Sequence, residues 1–247
     1  MRTQFQLNKV AHLNGHRASV FAVAMGFGEH TIISGSGDGW IVNWDLRQPK
    51  EGQLIAKVEG QIFSLHAIQN TNVIVAGTYA GNVHFIDLKN KSNIKIFPHH
   101  PKGVFAIFQV GENIFTGGGD GVLTKWAQRP TSDTPDFQAI ESIKLSHNNL
   151  RSIDYSPERN EIVIGASDTN IYFVNPATMK LTGRILEAHE NSVFIAKYLK
   201  DNLILSGGRD AQLKAWSLDT SVNCTQHNLR IGSPLMILRS MNKNVSS

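Results

Sequence analysis

Short apolar runs separated by turn-forming residues recur along the whole chain, and this pattern predicts strands. Residues 31–45 read Thr-Ile-Ile-Ser-Gly-Ser-Gly-Asp-Gly-Trp-Ile-Val-Asn-Trp-Asp. Two β-branched runs, Ile32-Ile33 and Ile41-Val42, lie on either side of Asp38-Gly39. An Asp-Gly pair between two such runs is a strong signal for a tight turn joining antiparallel strands. The stretch therefore predicts a β-hairpin.

Related stretches return four more times. Aligned on Trp44-Asp45, they end at Ile86-Asp87, Trp126-Ala127, Val174-Asn175 and Trp216-Ser217, at spacings of 42, 40, 48 and 42 residues. A period of about 40–45 residues is typical of a four-stranded propeller blade. The longest spacing contains the proline-containing segment 129–136, which predicts a loop insertion. The chain is therefore a repeat array, and its function has to be argued from the surfaces of the repeats.

Gly15-His16 followed by Trp44-Asp45 resembles the repeat of the WD40 family, and weaker copies extend the resemblance over about residues 1–220. The resemblance implies an all-β fold, a WD40-type β-propeller. We expect five recognisable blades, at about residues 12–52, 53–92, 93–136, 137–180 and 181–220. Residues 221–247 are expected to supply one outer strand and an atypical tail.

Five blades leave the number in the complete ring open. The favoured interpretation is an incomplete seven-bladed ring, and a closed five-bladed ring is the alternative; a third possibility is that the chain completes itself by oligomerising. Gln4–His12 stands where the family places the outer strand of the last blade, and Leu235–Leu238 could supply an inner strand. An open ring would expose strand edges and an apolar blade face.

A polar pattern accompanies three of the repeats. In WD40 proteins such His, Ser or Thr, Asp and Trp residues form a buried hydrogen-bonded tetrad, and the resemblance implies the same here. The chemistry is compatible, because carboxylate, hydroxyl, imidazole and indole groups can satisfy one another. The three sets are His16, Ser34, Asp38 and Trp44; His100 (or His99), Thr116, Asp120 and Trp126; and His189, Ser206, Asp210 and Trp216.

The other two repeats depart from this pattern. Unit two has Ala76, Ala80 and Ile86 in the tetrad positions, and unit four keeps only His147 and Asp168. We therefore expect units two and four to be the less stable ones. A catalytic Ser-His-Asp reading of the recurring sets is disfavoured, because they occur three times and each ends in a tryptophan. We expect no catalytic residue, no metal site and no cofactor.

The first two residues of the predicted inner strands are alike. Apolar residues at Val20 and Val23, or at Ile62 and Leu65, break strict alternation, and a bulge there would turn the second residue toward the upper mouth of the central channel. That would form an aromatic arc with one charge, as is typical of protein-binding hot spots. The alternative is an unbulged strand whose phenylalanines pack between blades. The predicted arc comprises Phe21, Phe63, Phe105, Phe194 and Arg151.

Further residues are expected near the same face. Tyr79 and Arg209 lie at or beside the turn that precedes the third strand of a blade, Trp40 follows such a turn, and Arg17 lies in the loop before the first inner strand. The alternative for Trp40 is simple packing over its turn. We expect this face to bind a protein or peptide partner.

Composition narrows the alternatives. The net charge is +4, but no run of Lys or Arg concentrates it, which disfavours a nucleic-acid partner. No apolar run approaches the ~20 residues of a membrane helix, so we expect no membrane association. The first ten residues lack an apolar h-region, so we expect no secretory signal, and the single cysteine, Cys224, suits a reducing cytoplasm.

Three functions remain in order of preference. The first is a non-catalytic protein-interaction scaffold. The second is a propeller enzyme of the hydrolase or lactonase type, for which only Asp154 and His66 on inner strands could supply a channel site. The third is a weak nucleic-acid binder, suggested by the pI of about 9.2.

Overall fold

A computed structural model describes residues 8–90, 94–129 and 136–218, together with the backbone of residues 226–229. These residues form five antiparallel sheets of four strands, each a blade in which consecutive strands are neighbours. Blade 1 contains β1 (Val20–Met25), β2 (Thr31–Ser36), β3 (Trp40–Asp45) and β4 (Gly52–Lys57). Blade 2 contains β5 (Ile62–Ala67), β6 (Val73–Thr78), β7 (Asn82–Asp87) and β8 (Ile94–Pro98).

The remaining three blades repeat this order, so the all-β, propeller-type fold expected from the sequence is confirmed. Blade 3 contains β9 (Val104–Val110), β10 (Asn113–Gly118), β11 (Val122–Gln128) and β12 (Phe137–Lys144). Blade 4 contains β13 (Leu150–Ser156), β14 (Glu161–Ala166), β15 (Ile171–Asn175) and β16 (Lys180–Ile185). Blade 5 contains β17 (Val193–Lys200), β18 (Leu203–Gly208), β19 (Leu213–Ser217) and β20 (Gln226–Leu229).

The hairpin predicted at residues 31–45 is present as β2 and β3. Its turn depends on Asp38, whose carboxylate accepts hydrogen bonds from the Ser36 hydroxyl at 2.5 Å and the Trp40 backbone N–H at 2.9 Å. Gly39 has a φ of +75°, and a Cβ there would lie 2.2 Å from the carbonyl oxygen of Val58. Glycine is therefore required at this turn, because both the backbone conformation and the close approach of the next strand exclude a side chain.

The hydrophobic core lies between the blades. Four apolar clusters join blade 1 to 2, 2 to 3, 3 to 4 and 4 to 5. Each contact has the same construction, in which a glycine of the second strand receives an apolar side chain from the inner strand of the next blade. A Cβ at Gly35, Gly77, Gly117 or Gly165 would meet Ile62, Val104, Leu150 or Val193, respectively, within about 3 Å.

The described blades form an open array. Among the described residues, a Cβ at Gly207 of blade 5 would meet only Ile195 of its own blade, so none of them fills the position that receives a neighbour in the other four blades. At the other end, Val20 of β1 is 49% exposed and Val23 is 43% exposed. A closed five-bladed ring, the alternative expected from the sequence, is therefore not the arrangement of the described residues.

Some sequence predictions lie outside the described residues. These are the start of the proposed N-terminal strand (residues 4–7), most of the loop insertion (130–135), Cys224 and the tail at Leu235–Leu238. Residues 8–12 are described and form no strand, so the prediction of an outer strand at Gln4–His12 is wrong for that part. The outer strand of blade 5 is β20, and no further blade that residues 8–12 could complete is present among the described residues. No helix long and apolar enough to cross a membrane occurs among the described residues.

Candidate protein-interaction surface

Each inner strand has a bulge at its second residue. The register against the neighbouring strand shifts between Val20 and Ala22, and corresponding shifts occur in the other blades. A bulge leaves one residue unpaired and re-aims its side chain. The five bulge residues, which we call the bulge arc, are Phe21, Phe63, Phe105, Arg151 and Phe194.

The bulge arc is continuous from blade 1 to blade 5. The rings of Phe21 and Phe63 stack with centroids 4.5 Å apart, and the ring of Phe63 meets that of Phe105 edge-on at 5.7 Å. The guanidinium carbon of Arg151 lies 4.7 Å from the Phe105 ring centroid and 5.9 Å from that of Phe194. The structure therefore brings together all five residues of the arc predicted from the sequence.

Exposure is greatest at the blade 1 end of the arc and smallest at its centre, Phe105. Phe21 is 43% exposed, whereas Phe105 is only 9% exposed because Phe63 and Arg151 cover it. Tyr79, from the turn between β6 and β7, is 59% exposed and lies beside Phe63 with ring centroids 5.4 Å apart. Phe21, Phe63 and Tyr79 thus form an aromatic platform at the blade 1 and 2 end of the arc.

The other predicted residues of this face are Arg17 and Trp40 on blade 1 and Arg209 on blade 5. Arg17 packs its guanidinium over the Trp40 ring at 5.5 Å, and its backbone N–H donates to Asp38 at 3.0 Å. Among the described residues no ring contact joins Trp40 to the arc. Arg209 is exposed on the blade 5 loop, where its backbone N–H donates to the Ser192 carbonyl at 2.9 Å.

The three tetrads assemble as hydrogen-bonded chains inside blades 1, 3 and 5. In blade 3, Trp126 Nε1 donates to the Thr116 hydroxyl at 2.9 Å, that hydroxyl lies 2.8 Å from His100 Nε2, and His100 Nδ1 lies 3.1 Å from Asp120. Blade 5 repeats the chain through Trp216, Ser206, His189 and Asp210, with distances of 2.8, 2.7 and 2.9 Å. His99, the alternative tetrad histidine, instead lies 2.8 Å from the Thr124 hydroxyl.

The blade 1 tetrad is looser. Trp44 and His16 both contact the Ser34 hydroxyl, at 2.8 and 2.7 Å. His16 Nδ1 lies 3.5 Å from Asp38 and has no hydrogen-bond partner in the described part of the chain. Burial tends to raise the pKa of Asp38, but hydrogen bonds from Ser36 and two backbone N–H groups hold that pKa at about 2. All three tetrads are enclosed within their blades and link strands, so they position the upper loops and offer no site to a ligand.

In blade 4, the residue that bonds the turn aspartate, Asp168, is not the histidine that the sequence indicated. His147 is exposed, and the buried Ser146 before it donates to Asp168 at 2.5 Å. The Tyr172 hydroxyl donates to the same carboxylate, also at 2.5 Å. The assignment of His147 to a tetrad position was therefore wrong. Ser146 was a visible candidate, because a hydroxyl can donate to the carboxylate as an imidazole does.

Blade 2 contains a polar residue that the sequence did not single out. His84 of β7 is 2% exposed, and neither ring nitrogen has a hydrogen-bond partner among the residues that the structure describes. Burial lowers the pKa of His84 to about 4, so the imidazole is neutral near pH 7. The position corresponds to Thr124 of β11, which faces a partner, whereas Ala76 and Ile86 leave the interior of blade 2 without one.

The candidate channel residues do not form a catalytic cluster. The Asp154 carboxylate accepts a hydrogen bond from the Tyr198 backbone N–H at 2.9 Å, and burial raises its pKa. His66 Nε2 lies 3.2 Å from the Gln109 side-chain oxygen, and burial lowers the pKa of His66. The two lie on β13 and β5, with blade 3 between them. Within the described ranges no three His, Cys, Asp or Glu residues are grouped so as to hold a metal ion.

Comparison with known proteins supports the prediction that the chain consists of WD40-type repeats. A family model described as "WD domain, G-beta repeat" matches residues 7–45. The WD repeat-containing protein 55 homolog of Dictyostelium discoideum is 28% identical over 100 residues, which cover 40% of this chain and 24% of that protein. Denticleless protein homolog B of Xenopus laevis is 23% identical over 263 residues, covering 85% of this chain and 36% of that protein.

Further relatives are matched in part, and a solved structure supports the fold. Transducin-like enhancer protein 6 of Homo sapiens is 30% identical over 129 residues, covering 51% of this chain and 21% of that protein. The chain thus spans between about a fifth and about a third of the length of these curated relatives. The crystal structure of the computationally designed Ika8 protein matches 87% of this chain and 63% of its own with a TM-score of 0.65 and 19% identity.

Proposed function

Because the chain belongs to the WD40-repeat family, we propose that it is a non-catalytic module that binds a protein or peptide on the upper face of its blades. The upper face is the end at which the five inner strands begin. The observation that carries the proposal is the continuous bulge arc with its exposed platform. Aromatic side chains and arginines with partial exposure are the residues that most often dominate protein–protein binding.

The remaining upper-face residues extend this surface. Arg17 on blade 1 and Arg209 on blade 5 lie on loops that begin or end beside the tetrads, and Trp40 is the first residue of β3. The tetrads hold these loops in one conformation, so a partner would lose little free energy in ordering them. We propose no catalytic step, since Asp154 and His66 are each engaged by a neighbour and lie in different blades. We propose that this binding takes place in the cytoplasm, because a single cysteine suits a reducing compartment.

The test is capture of partner proteins from cell lysate by tagged wild-type chain and by a Phe21→Asp variant, with identification by mass spectrometry. Phe21 is 43% exposed, so the substitution adds a charge to the platform without burying it. We expect at least a 10-fold loss of the captured protein, equivalent to about 1.4 kcal/mol of binding free energy.

A matched control lies in the same blade. Phe27 follows the other end of β1 and is 36% exposed, so Phe27→Asp introduces the same charge at the opposite end of the blade. The control should capture as wild type does. Equal capture by the wild type and Phe21→Asp, or equal loss in both variants, would contradict binding at the upper face.

A further inference from the structure

Arg151 differs from the other members of the bulge arc because it carries a charge that nothing in the described chain neutralises. Its guanidinium is half-buried between the rings of Phe105 and Phe194. Burial lowers the pKa of Arg151 from its ordinary value, and no acidic neighbour offsets that effect. No ion pair joins it to a carboxylate in the part of the chain that the structure describes.

The guanidinium is nevertheless held in place. Arg151 Nε donates to the Ser167 hydroxyl at 2.8 Å. The hydrogen-bond network orients the Asn149 amide with its oxygen toward Arg151. In that orientation the oxygen accepts from Arg151 Nη2 at 2.9 Å, and the amide N–H donates to the Gly119 carbonyl at 3.0 Å. A guanidinium has five N–H groups, so three remain without a partner among the described residues. A rigid, desolvated cation with free donors at a surface is prepared for an anion.

We propose that Arg151 binds the carboxylate of an Asp or Glu side chain in the partner, and that the partner is an acidic peptide segment with an apolar residue nearby. This inference rests on the proposed function, because it assigns the partner's chemistry at the same surface. The carboxylate would accept hydrogen bonds from the guanidinium N–H groups of Arg151 that Ser167 and Asn149 do not engage. The apolar residue would pack on the platform of Phe21, Phe63 and Tyr79.

A carboxylate fits this position better than a phosphate. The planar guanidinium fork matches the two oxygens of a carboxylate, and charge-assisted bonds of this kind are the strong ones. Arg151 offers a single positive charge flanked by two apolar rings. Recognition of a phosphate, with close to two negative charges, is typically the work of an arginine cluster. The charge at the arc therefore matches one carboxylate.

The distances set the spacing within the partner. Phe105 separates Phe63 from Arg151, with 5.7 Å between the two rings and 4.7 Å from the Phe105 ring to the guanidinium carbon. In a β-extended segment, residues two apart share a face and are separated by roughly 6.6 Å. In a polyproline II segment, residues three apart share a face and are separated by roughly 9.3 Å. An apolar residue two or three positions from the acid would therefore reach the platform while the acid reaches Arg151.

The probes are three immobilised libraries of nine-residue peptides with acetylated and amidated ends. Each has Leu or Phe at position 4 and uncharged random residues elsewhere. Position 6 or 7 is Glu in the first library, Gln in the second and phosphoserine in the third. Binding of the whole chain to each library is measured for the wild type, Arg151→Gln, Arg151→Lys and Arg184→Gln. Arg184 is exposed on β16, away from the inner strands, so its variant matches the charge change.

We expect the wild type to retain the Glu library at least 10-fold better than the Gln library. Arg151→Gln should abolish that preference, Arg151→Lys should keep only part of it because the fork is lost, and Arg184→Gln should behave as wild type. Equal binding of the Glu and Gln libraries, no binding of either, or an equal effect of both Gln variants would overturn the inference. A preference for the phosphoserine library would overturn it in favour of a phosphopeptide.

Failure of this inference and failure of the proposed function are distinguishable. Loss of lysate capture in Phe21→Asp, together with equal binding of the Glu and Gln libraries, would leave the interaction surface in place and remove the carboxylate. Capture that is insensitive to Phe21→Asp would remove the surface itself. Circular dichroism of Arg151→Gln checks that its fold is retained. If it is lost, Arg151→Lys carries the comparison, since it keeps the charge.

Discussion

At the residue scale, the departures from the repeat pattern are more informative than its matches. Thr116, Ser206 and Ser34 each connect a histidine and a tryptophan, as the resemblance to the WD40 repeat implied. His84 had no such signal, because it stands on a strand where the other repeats have Val, Thr, Tyr or Lys. Its burial without a partner is a cost that is visible only once the blades are packed.

Replacement of His84 tests that cost. The folded-state pKa of about 4 lies below the ordinary value of 6.5, so between these values the unfolded chain binds more protons than the folded one. Stability is therefore highest above pH 6.5 and falls as the pH drops toward 4, by up to roughly 3 kcal/mol. We expect His84→Leu to remove this part of the acid sensitivity and to stabilise the protein at pH 7, because two unsatisfied nitrogens disappear.

The measurement is urea denaturation of both proteins at pH 7.5, 6 and 5. Other buried histidines, His66, His100 and His189, also have pKa values lowered by burial, so some acid sensitivity will remain. The matched control is His147→Leu, at an exposed position, which should leave the wild-type pH dependence intact. A His84→Leu protein whose stability falls with pH as steeply as that of the wild type would show that His84 finds a partner in solution.

At the scale of the element, the positions of strands could be predicted from the sequence, whereas the side-chain contacts between blades could not. The hairpin predicted at residues 31–45 is present as β2 and β3, because β-branched runs and turn residues are local signals. The bulge was also readable, from the broken alternation at the start of each inner strand. The contact of Arg151 with Phe105 was not readable in detail, because it joins residues 46 positions apart through the packing of two blades.

The expected weakness of unit two shows the same limit. It lacks a tetrad, yet all six residues of β6 are buried, and blade 2 packs against neighbours on both faces. Burial of a full strand outweighs one buried hydrogen-bonded chain, since each apolar side chain contributes about 1.5–3 kcal/mol and each hydrogen bond about 1. The structure therefore favours blades 1 and 5, with their open faces, as the weaker ones.

The turn between the second and third strand gives a prediction at this scale. The residue after the turn's Asp or Ala has positive φ in every blade, and it is Gly39, Gly81 and Gly121 in blades 1 to 3. In blade 5 it is Ala211, with φ +58°. A non-glycine residue in this conformation costs about 1–2 kcal/mol, partly offset by the entropy that glycine loses on folding. We therefore expect Ala211→Gly to stabilise the protein by about 0.5–1 kcal/mol.

Thermal and urea denaturation check the sign. The control is Ala215→Gly in β19, the same substitution in regular strand backbone. It should destabilise by a similar amount, because glycine weakens a strand interior. If both variants were destabilised, the turn at Ala211 would not be strained.

At the scale of the whole molecule, the described blades form an open array whose two end faces are the two halves of one repeated contact. Four such contacts are formed, and in each the first apolar residue of an inner strand fills a slot at a glycine of the blade before it. Val104 and Val193 do so and are fully buried, whereas Val20 occupies the same place in blade 1 and is 49% exposed. The slot at Gly207 is open at the other end.

Val20 of blade 1 and Val104 of blade 3 occupy equivalent positions, so replacing each by alanine tests whether the exposed face of blade 1 remains exposed in solution. Val104→Ala removes two buried methyl groups and leaves a cavity, so we expect a loss of about 2–3 kcal/mol in the free energy of unfolding. Val20→Ala should cost at most about 0.5 kcal/mol, because its side chain is half in water. Denaturation over a 50-fold range of protein concentration, with light scattering for the mass, measures both.

If Val20→Ala costs as much as Val104→Ala and the cost grows with concentration, a second copy covers the face of blade 1. A small and concentration-independent cost means that an isolated chain keeps that face exposed, and the upper face can then be assayed on the monomer.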